Sequence, residues 1–149
     1  MTAEIRHIVC PHCAAVNRLP AAKPAADAKC GVCHEPLFSG HPFPATTANF
    51  AKHIARNDVP VVVDFWAAWC APCRMMAPVF ERVAAEMEPN VRFLKVDTES
   101  EPEIANRYRI QGIPTVMVFR KGRPIAHRAG ASDAASLRAW LNEVAAPVG

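Results

Sequence analysis

From Thr46 onward the chain moves between two hydrophobic rhythms, whereas the first forty residues sustain neither. Val61-Val62-Val63-Asp64-Phe65-Trp66 is apolar except for one carboxylate, which is the pattern of a buried strand. Behind it, Met76, Val79, Phe80, Val83, Ala84 and Met87 recur at helical spacing, so a helix is expected from about Cys70 to the breaker Pro89-Asn90. Val91, Phe93, Leu94 and Val96 mark a second buried strand, and a short helix is expected from Pro102 to Tyr108. Thr115 to Phe119 reads as a strand, with Lys121-Gly122 turning it into a partner around Ile125 to Ala129. Two further helices complete the pattern. Thr46 or Thr47 can cap one carrying Phe50 and Ile54, closing before Pro60. Ser132 can cap another with a stripe of Leu137, Trp140, Leu141 and Val144. Strands alternating with helices and ending in a hairpin predict an α/β fold, a mixed central sheet covered by helices on both faces.

The breakers divide the chain. Pro20 to Ala28 is rich in Ala and Pro and reads as a loop, and the breaker-rich stretch Pro36 to Pro44 is expected to join two units, 1–40 and 41–149. With 149 residues, 51% of them hydrophobic and 21% charged, the larger unit can bury a core of its own. A net charge of +3 is too small and dispersed to argue for nucleic acid or a membrane surface as partner. No apolar run is long enough to span a bilayer, and Met1 to Val9 lacks the apolar core of a secretory signal, so a cytoplasmic location is expected.

All six cysteines fall into C-x-x-C pairs, at 10/13, 30/33 and 70/73. Without an export signal, such pairs suggest metal or redox chemistry rather than structural disulfides. Cys10-Pro11-His12-Cys13 and Cys30-Gly31-Val32-Cys33 lie sixteen residues apart, the spacing of a four-thiolate zinc site. A forty-residue segment buries too little surface to fold alone, so a metal is expected to supply much of its folding energy. Cys10, Cys13, Cys30 and Cys33 are the expected ligands, and His7, His12 and His34 read as solvated loop residues. The metal can be purely structural or can respond to oxidation of its thiolates, and the residues do not choose between these.

The third pair is placed differently. Cys70 ends a buried strand and opens a helix, where unpaired N–H groups and the positive end of the dipole favour thiolate. Cys73 lies one turn on, on the same face and within disulfide reach. Asp64, a lone carboxylate in an apolar strand, either sits at the strand end in water or is buried, in which case it is costly to ionise, its pKa rises and it suits proton exchange with Cys73. His53 is assigned to a surface helix face and His127 to the second hairpin strand, both as structural residues.

Val63-Asp64-Phe65-Trp66-Ala67, Trp69-Cys70-x-Pro72-Cys73, Met76-Ala77-Pro78, Gly112-Ile113-Pro114-Thr115 and the late Gly122 and Gly130 together resemble the thioredoxin family over about residues 41–149. With the four-cysteine segment in front, the whole chain resembles that family's zinc-containing bacterial branch. The resemblance implies a thioredoxin fold preceded by a small zinc-ribbon-like module. It also implies a monomeric protein-disulfide reductase, with Cys70 attacking a client disulfide and Cys73 resolving the mixed disulfide. Lys95 matches the partner of the Asp64 carboxylate, and Pro114 matches a cis-proline beside the dithiol. Trp69, Gly112, Ile113, Gly130 and Ala131, with Ala71 and Pro72 between the sulfurs, are implied to meet the client. Recharging falls to thioredoxin reductase, which carries NADPH and flavin. No glycine-rich nucleotide motif occurs here, so no bound organic cofactor is expected.

The chain departs from the family in carrying Ala71 where glycine is usual, which bears on the redox potential and leaves the reaction class unchanged. Two competing functions fit the same residues less well. A scaffold whose knuckles dock a partner would not need an intact dithiol with Asp64 and Pro114. An oxidase or isomerase of an oxidising compartment would need an export signal.

Overall fold

The computed structural model describes residues 4–145, so residues 1–3 and 146–149, at the outer ends of the two sequence-assigned units, lie outside the described residues. Near the N-terminus, β1 (Ile5–Val9) and β2 (Val16–Pro20) form an antiparallel hairpin. The elements that follow are β3 (Phe43–Pro44), α1 (Phe50–Arg56), β4 (Val61–Trp66), α2 (Ala71–Met87), β5 (Arg92–Asp97), α3 (Pro102–Arg107), β6 (Thr115–Arg120), β7 (Arg123–Ala129) and α4 (Ala134–Val144). Five of the strands form a mixed sheet in the order β3-β5-β4-β6-β7. β3, β5 and β4 run parallel, and β6 and β7 are antiparallel additions.

Strand alternation decides which helix each strand residue meets. Val62, Phe93, Val116 and Val118 pack with Met76, Phe80 and Val83 of α2 and with Leu137 and Leu141 of α4. The intervening residues Val61, Val63, Phe65, Leu94, Val96 and Phe119 pack with Phe50 and Ile54 of α1 and Ile104 of α3. Asp64 is two residues from Val62 and pairs across to Lys95, so both polar side chains belong to the face under α2. The β6–β7 hairpin closes on Lys121 and Gly122, with φ of 53° and 83°. Two positive φ values give the turn whose twist suits a two-residue hairpin, and glycine adopts the second without a Cβ clash.

Three local expectations are corrected, and the joining stretch gains an element. Neither Thr46 nor Thr47 offers its side chain as a cap: α1 starts after Asn49, whose Oδ1 accepts the Thr46 N–H at 2.9 Å. Helix α4 is capped by Asp133, which accepts the Ser136 N–H at 2.7 Å, and not by Ser132. The breaker-rich joining stretch ends in a true edge strand, β3, registered on Leu94 and Lys95. His53 is fully buried rather than on a surface, because the N-terminal hairpin packs onto α1.

The N-terminal segment is seated on the sheet. Its small core of Ile8, Leu19, Leu37 and Phe38 takes in Val59 from the larger unit. The His7 N–H bonds to Asp58 Oδ2 at 2.6 Å, and the Val9 N–H bonds to Asn57 Oδ1 at 2.8 Å. Arg92, at the start of β5, reaches out of the sheet to the carbonyls of Val9 (3.2 Å) and Leu37 (2.7 Å). Its guanidinium lies 4.2 Å from the centre of the Phe38 ring. Glu88, four residues before it, lies 3.6 Å from the same guanidinium and accepts the N–H groups of Gly40 and Phe93. Burial pushes the Glu88 carboxyl up, with the Arg92 cation opposing the shift. A buried charge pair that also takes in backbone groups of the ribbon therefore ties it to the sheet, with Arg92 Nε alone left without a partner.

Candidate active site and metal centre

Cys70 ends the β4–α2 connection and is the N-cap of α2, its Sγ accepting the Cys73 N–H at 3.2 Å. The two cysteines form a disulfide with Cα atoms 5.2 Å apart, the oxidised state of the pair. In the reduced state, that N–H and the helix dipole act on whatever charge Cys70 carries. Arg74, one turn into the helix, donates to the Ala68 carbonyl at 2.7 Å, which holds its positive charge beside the connection.

Around Cys70 the surface is open and partly apolar. Trp69 is 67% exposed, with its indole N–H held by Glu99 at 2.6 Å. Ala71, Pro72, Gly112, Gly130 and Ala131 are exposed, Ile113 is half-buried and Pro114 is buried. The Ile113–Pro114 bond is cis, and the Ile113 carbonyl oxygen lies 3.6 Å from Cys70 Sγ. The loop behind it is fixed by the Gly130 N–H to the Pro114 carbonyl at 2.8 Å and by the Ser132 N–H on Met76 Sδ at 3.3 Å. Gly130 has φ of 92°, a conformation that a side chain would strain.

Under the dithiol, Asp64 is only 4% exposed, and its Oδ1 has no hydrogen-bond partner. Burial pushes its carboxyl up to about 7, against the smaller opposing pull of the Lys95 ammonium. A cavity of about 90 Å³ joins Asp64 to Cys73 and is lined further by Lys95, Trp66, Arg74 and Pro42. The Lys95 ammonium lies 5.1 Å from the centre of the Trp66 ring. A carboxyl that titrates near neutrality, in one cavity with the second sulfur, can exchange a proton with it.

The four remaining cysteines converge in the ribbon. The two knuckles repeat one geometry: the Ala14 N–H returns to Cys10 O, the His34 N–H returns to Cys30 O, and Ala14 and His34 have φ of 63° and 67°. All four Sγ atoms lie within 4.8 Å of one another, with Cys10–Cys33 and Cys13–Cys30 each at 3.6 Å. A tetrahedral zinc with bonds of about 2.3 Å sets its sulfurs about 3.8 Å apart, so the donor set fits that ion. Backbone N–H groups of His12 and Val32 and the Asn17 amide point at these sulfurs. The Cys33 N–H and the Asn17 amide pull Cys30 down to about 6, while burial pushes Cys10 up to about 12. None of His7, His12 and His34 belongs to the cluster: His7 pairs with Asp58, and His12 sets its ring edge-on to Phe43.

Sequence reasoning missed Arg92, Glu88, His41 and Pro42. Arg92 carried a signal, a cation inside the apolar run from Val91 to Val96, which also holds Lys95. Pro42 carried none, because its place in the Asp64 cavity depends on how the ribbon folds back.

Comparison with known proteins agrees with this geometry. Residues 41–143 match the family model described as Thioredoxin, and residues 9–35 match the zinc-ribbon model described as Thioredoxin 2, N-terminal. Thioredoxin C-3 of Corynebacterium nephridii is 40% identical over 136 residues, 91% of this chain and 93% of that protein. The thioredoxin of Porphyra purpurea is 42% identical over 98 residues, 66% of this chain and 92% of its own. The crystal structure of a Malassezia sympodialis thioredoxin superposes with a TM-score of 0.67 at 33% identity, covering 76% of this chain and 99% of that one. The chain belongs to the thioredoxin family of thiol–disulfide oxidoreductases and is a protein-disulfide reductase carrying an N-terminal zinc ribbon.

Proposed function

We propose that residues 41–149 reduce client disulfides through Cys70 and Cys73, while residues 1–40 hold a zinc ion in Cys10, Cys13, Cys30 and Cys33. The single observation that carries this reading is the Cys70–Cys73 pair at a helix N-terminus, above a carboxyl shared through one cavity with Cys73. In the reduced protein, Cys70 thiolate attacks one sulfur of the client disulfide, and the other client sulfur leaves as thiolate. Cys73 then gives its proton to the Asp64 carboxylate and attacks Cys70 Sγ. The client sulfur leaves with the electron pair, and the 70–73 disulfide forms. Lys95 faces Asp64 and favours its ionised form, which keeps the base available. Trp69, Ala71, Pro72, Gly112, Ile113, Gly130 and Ala131 receive an extended client segment, with the Ile113 backbone beside Cys70.

Zinc bound to the four thiolates supplies a cross-link between the two knuckles. The proposed electron donor is thioredoxin reductase with NADPH, acting in the cytoplasm. Among the described residues no helix is long and apolar enough to cross a membrane, which fits a reductase that meets its partners in solution. Insulin-disulfide reduction with NADPH and thioredoxin reductase tests the reading. The wild type is expected to turn over, Cys70→Ser to lose activity, and Cys73→Ser to accumulate a mixed disulfide with the client. Full turnover by Cys70→Ser would sink the proposal.

A further inference from the structure

The stretch between the ribbon and the sheet is fastened at every step. Arg92 holds the Leu37 carbonyl, Glu88 Oε1 accepts the Gly40 N–H at 3.1 Å, and Glu81 Oε2 meets His41 Nδ1 at 2.9 Å. Phe43 and Pro44 then join β5, and the Ala45 N–H bonds to the Lys95 carbonyl at 2.9 Å. Glu81 lies on α2 and Glu88 is its C-cap, so the last turns of this helix and the edge of β5 carry the strap. Between the fastened points lies Pro42, which is buried and lines the cavity of Asp64 and Cys73.

We infer that Pro42 is a positioning residue of the thiol chemistry: residues 37–44 hold it as a wall of the Asp64 cavity, where it limits how much water reaches the carboxyl and ties proton exchange with Cys73 to the seating of the ribbon. The inference rests on the reading of Asp64 as proton partner of Cys73. Desolvation is the largest influence on this carboxyl, so a wall that limits water access bears on the pH at which it ionises. The charges facing Asp64 are Lys95 from β5 and Arg74 and Glu81 from α2, with His41 paired to Glu81. β6 sets apolar Val116 opposite it and adds no charge. His41 and Glu81 are both exposed and hold the strap weakly, so the buried fastenings at Arg92 and Glu88 carry most of it.

The test follows the Asp64 carboxyl directly, by carbon-13 NMR titration of the reduced full-length protein, beside the pH profile of insulin reduction. Asp64→Asn identifies the part of that profile that belongs to Asp64. In Pro42→Gly, the carboxyl midpoint is expected to fall by about one pH unit or more, a tenfold change in its ionisation constant, and the Asp64-dependent limb to move with it. An unchanged midpoint in folded Pro42→Gly overturns the role of the strap while leaving the role of Asp64 intact. An Asp64→Asn profile identical to wild type overturns both. His41→Ala is the second variant, and it separates the two physical causes by sign. Loosening the wall lowers the midpoint, whereas freeing the Glu81 charge raises it; because His41 holds the strap only weakly, a fall smaller than in Pro42→Gly is expected, and a raised midpoint counts against the strap.

Discussion

His53 and Asp64 are both buried ionisable residues, and their linkage to folding runs in opposite directions. Burial, reinforced by the Arg92 and Lys52 cations, pushes His53 down to about 4 from its ordinary 6.5. As pH falls through that window the unfolded chain takes the proton first, and stability is lost. Asp64 is raised to about 7 from 3.8, so the unfolded chain ionises first as pH rises, and stability is lost in that direction. Each contribution is roughly 3–4 kcal/mol when complete, and the two offset each other in the wild type. Urea unfolding at about pH 4.5 and about pH 6.5 should expose them singly. His53→Leu is expected to become less stable as pH rises, and Asp64→Asn more stable; slopes of the same sign would contradict this. Asp64 stood out against its apolar neighbours, and the family resemblance weighed it toward burial. His53 was not, because a segment more than forty residues earlier in the chain buries it, and local hydrophobic period carries no trace of that.

Elements whose residues pack against near neighbours came through the sequence well. The boundaries of β4 follow its apolar run, and the helix after Cys70 ends at Met87, before Pro89. The caps of α1 and α4 were misplaced by two or three residues or by one, since several adjacent polar side chains can cap and only packing selects among them. The α2–β5 clasp is the element-scale feature with the largest energetic weight. Arg92→Met strands the buried Glu88 carboxylate and frees the Val9 and Leu37 carbonyls, so a loss of about 3–5 kcal/mol is expected. Adding Glu88→Gln should recover most of it, as measured by chemical denaturation of both single variants and the double. Strict additivity of the two losses would show that the pair is not coupled.

At the scale of the whole molecule, the ribbon and the sheet are joined by side chains from both, yet they depend on different things for order. The larger unit has two hydrophobic layers of its own, whereas the ribbon core is a handful of apolar residues around the sulfur cluster. Removing zinc by a strong chelator is therefore expected to abolish amide-exchange protection in β1 and β2 while β4 and β6 stay protected. Hydrogen exchange followed by mass spectrometry, with zinc measured in parallel, reports both regions at once. Equal loss of protection in β4 would mean that the sheet relies on the metal as well. The zinc ribbon was legible because thiolate spacing follows from coordination geometry, but its docking surface was not, because that surface is made of single residues scattered from Leu37 to Arg92.

Arg92 sits opposite Val61 at the start of β4, and the dithiol comes after Trp66 at the other end. A six-residue strand spans on the order of 20 Å, while disulfide exchange needs Cα atoms within about 7 Å. Separation along the strand thus acts as insulation. Electrons pass in and out through Cys70 and Cys73, while the clasp that holds the Val9 and Leu37 carbonyls of the ribbon lies a strand's length away.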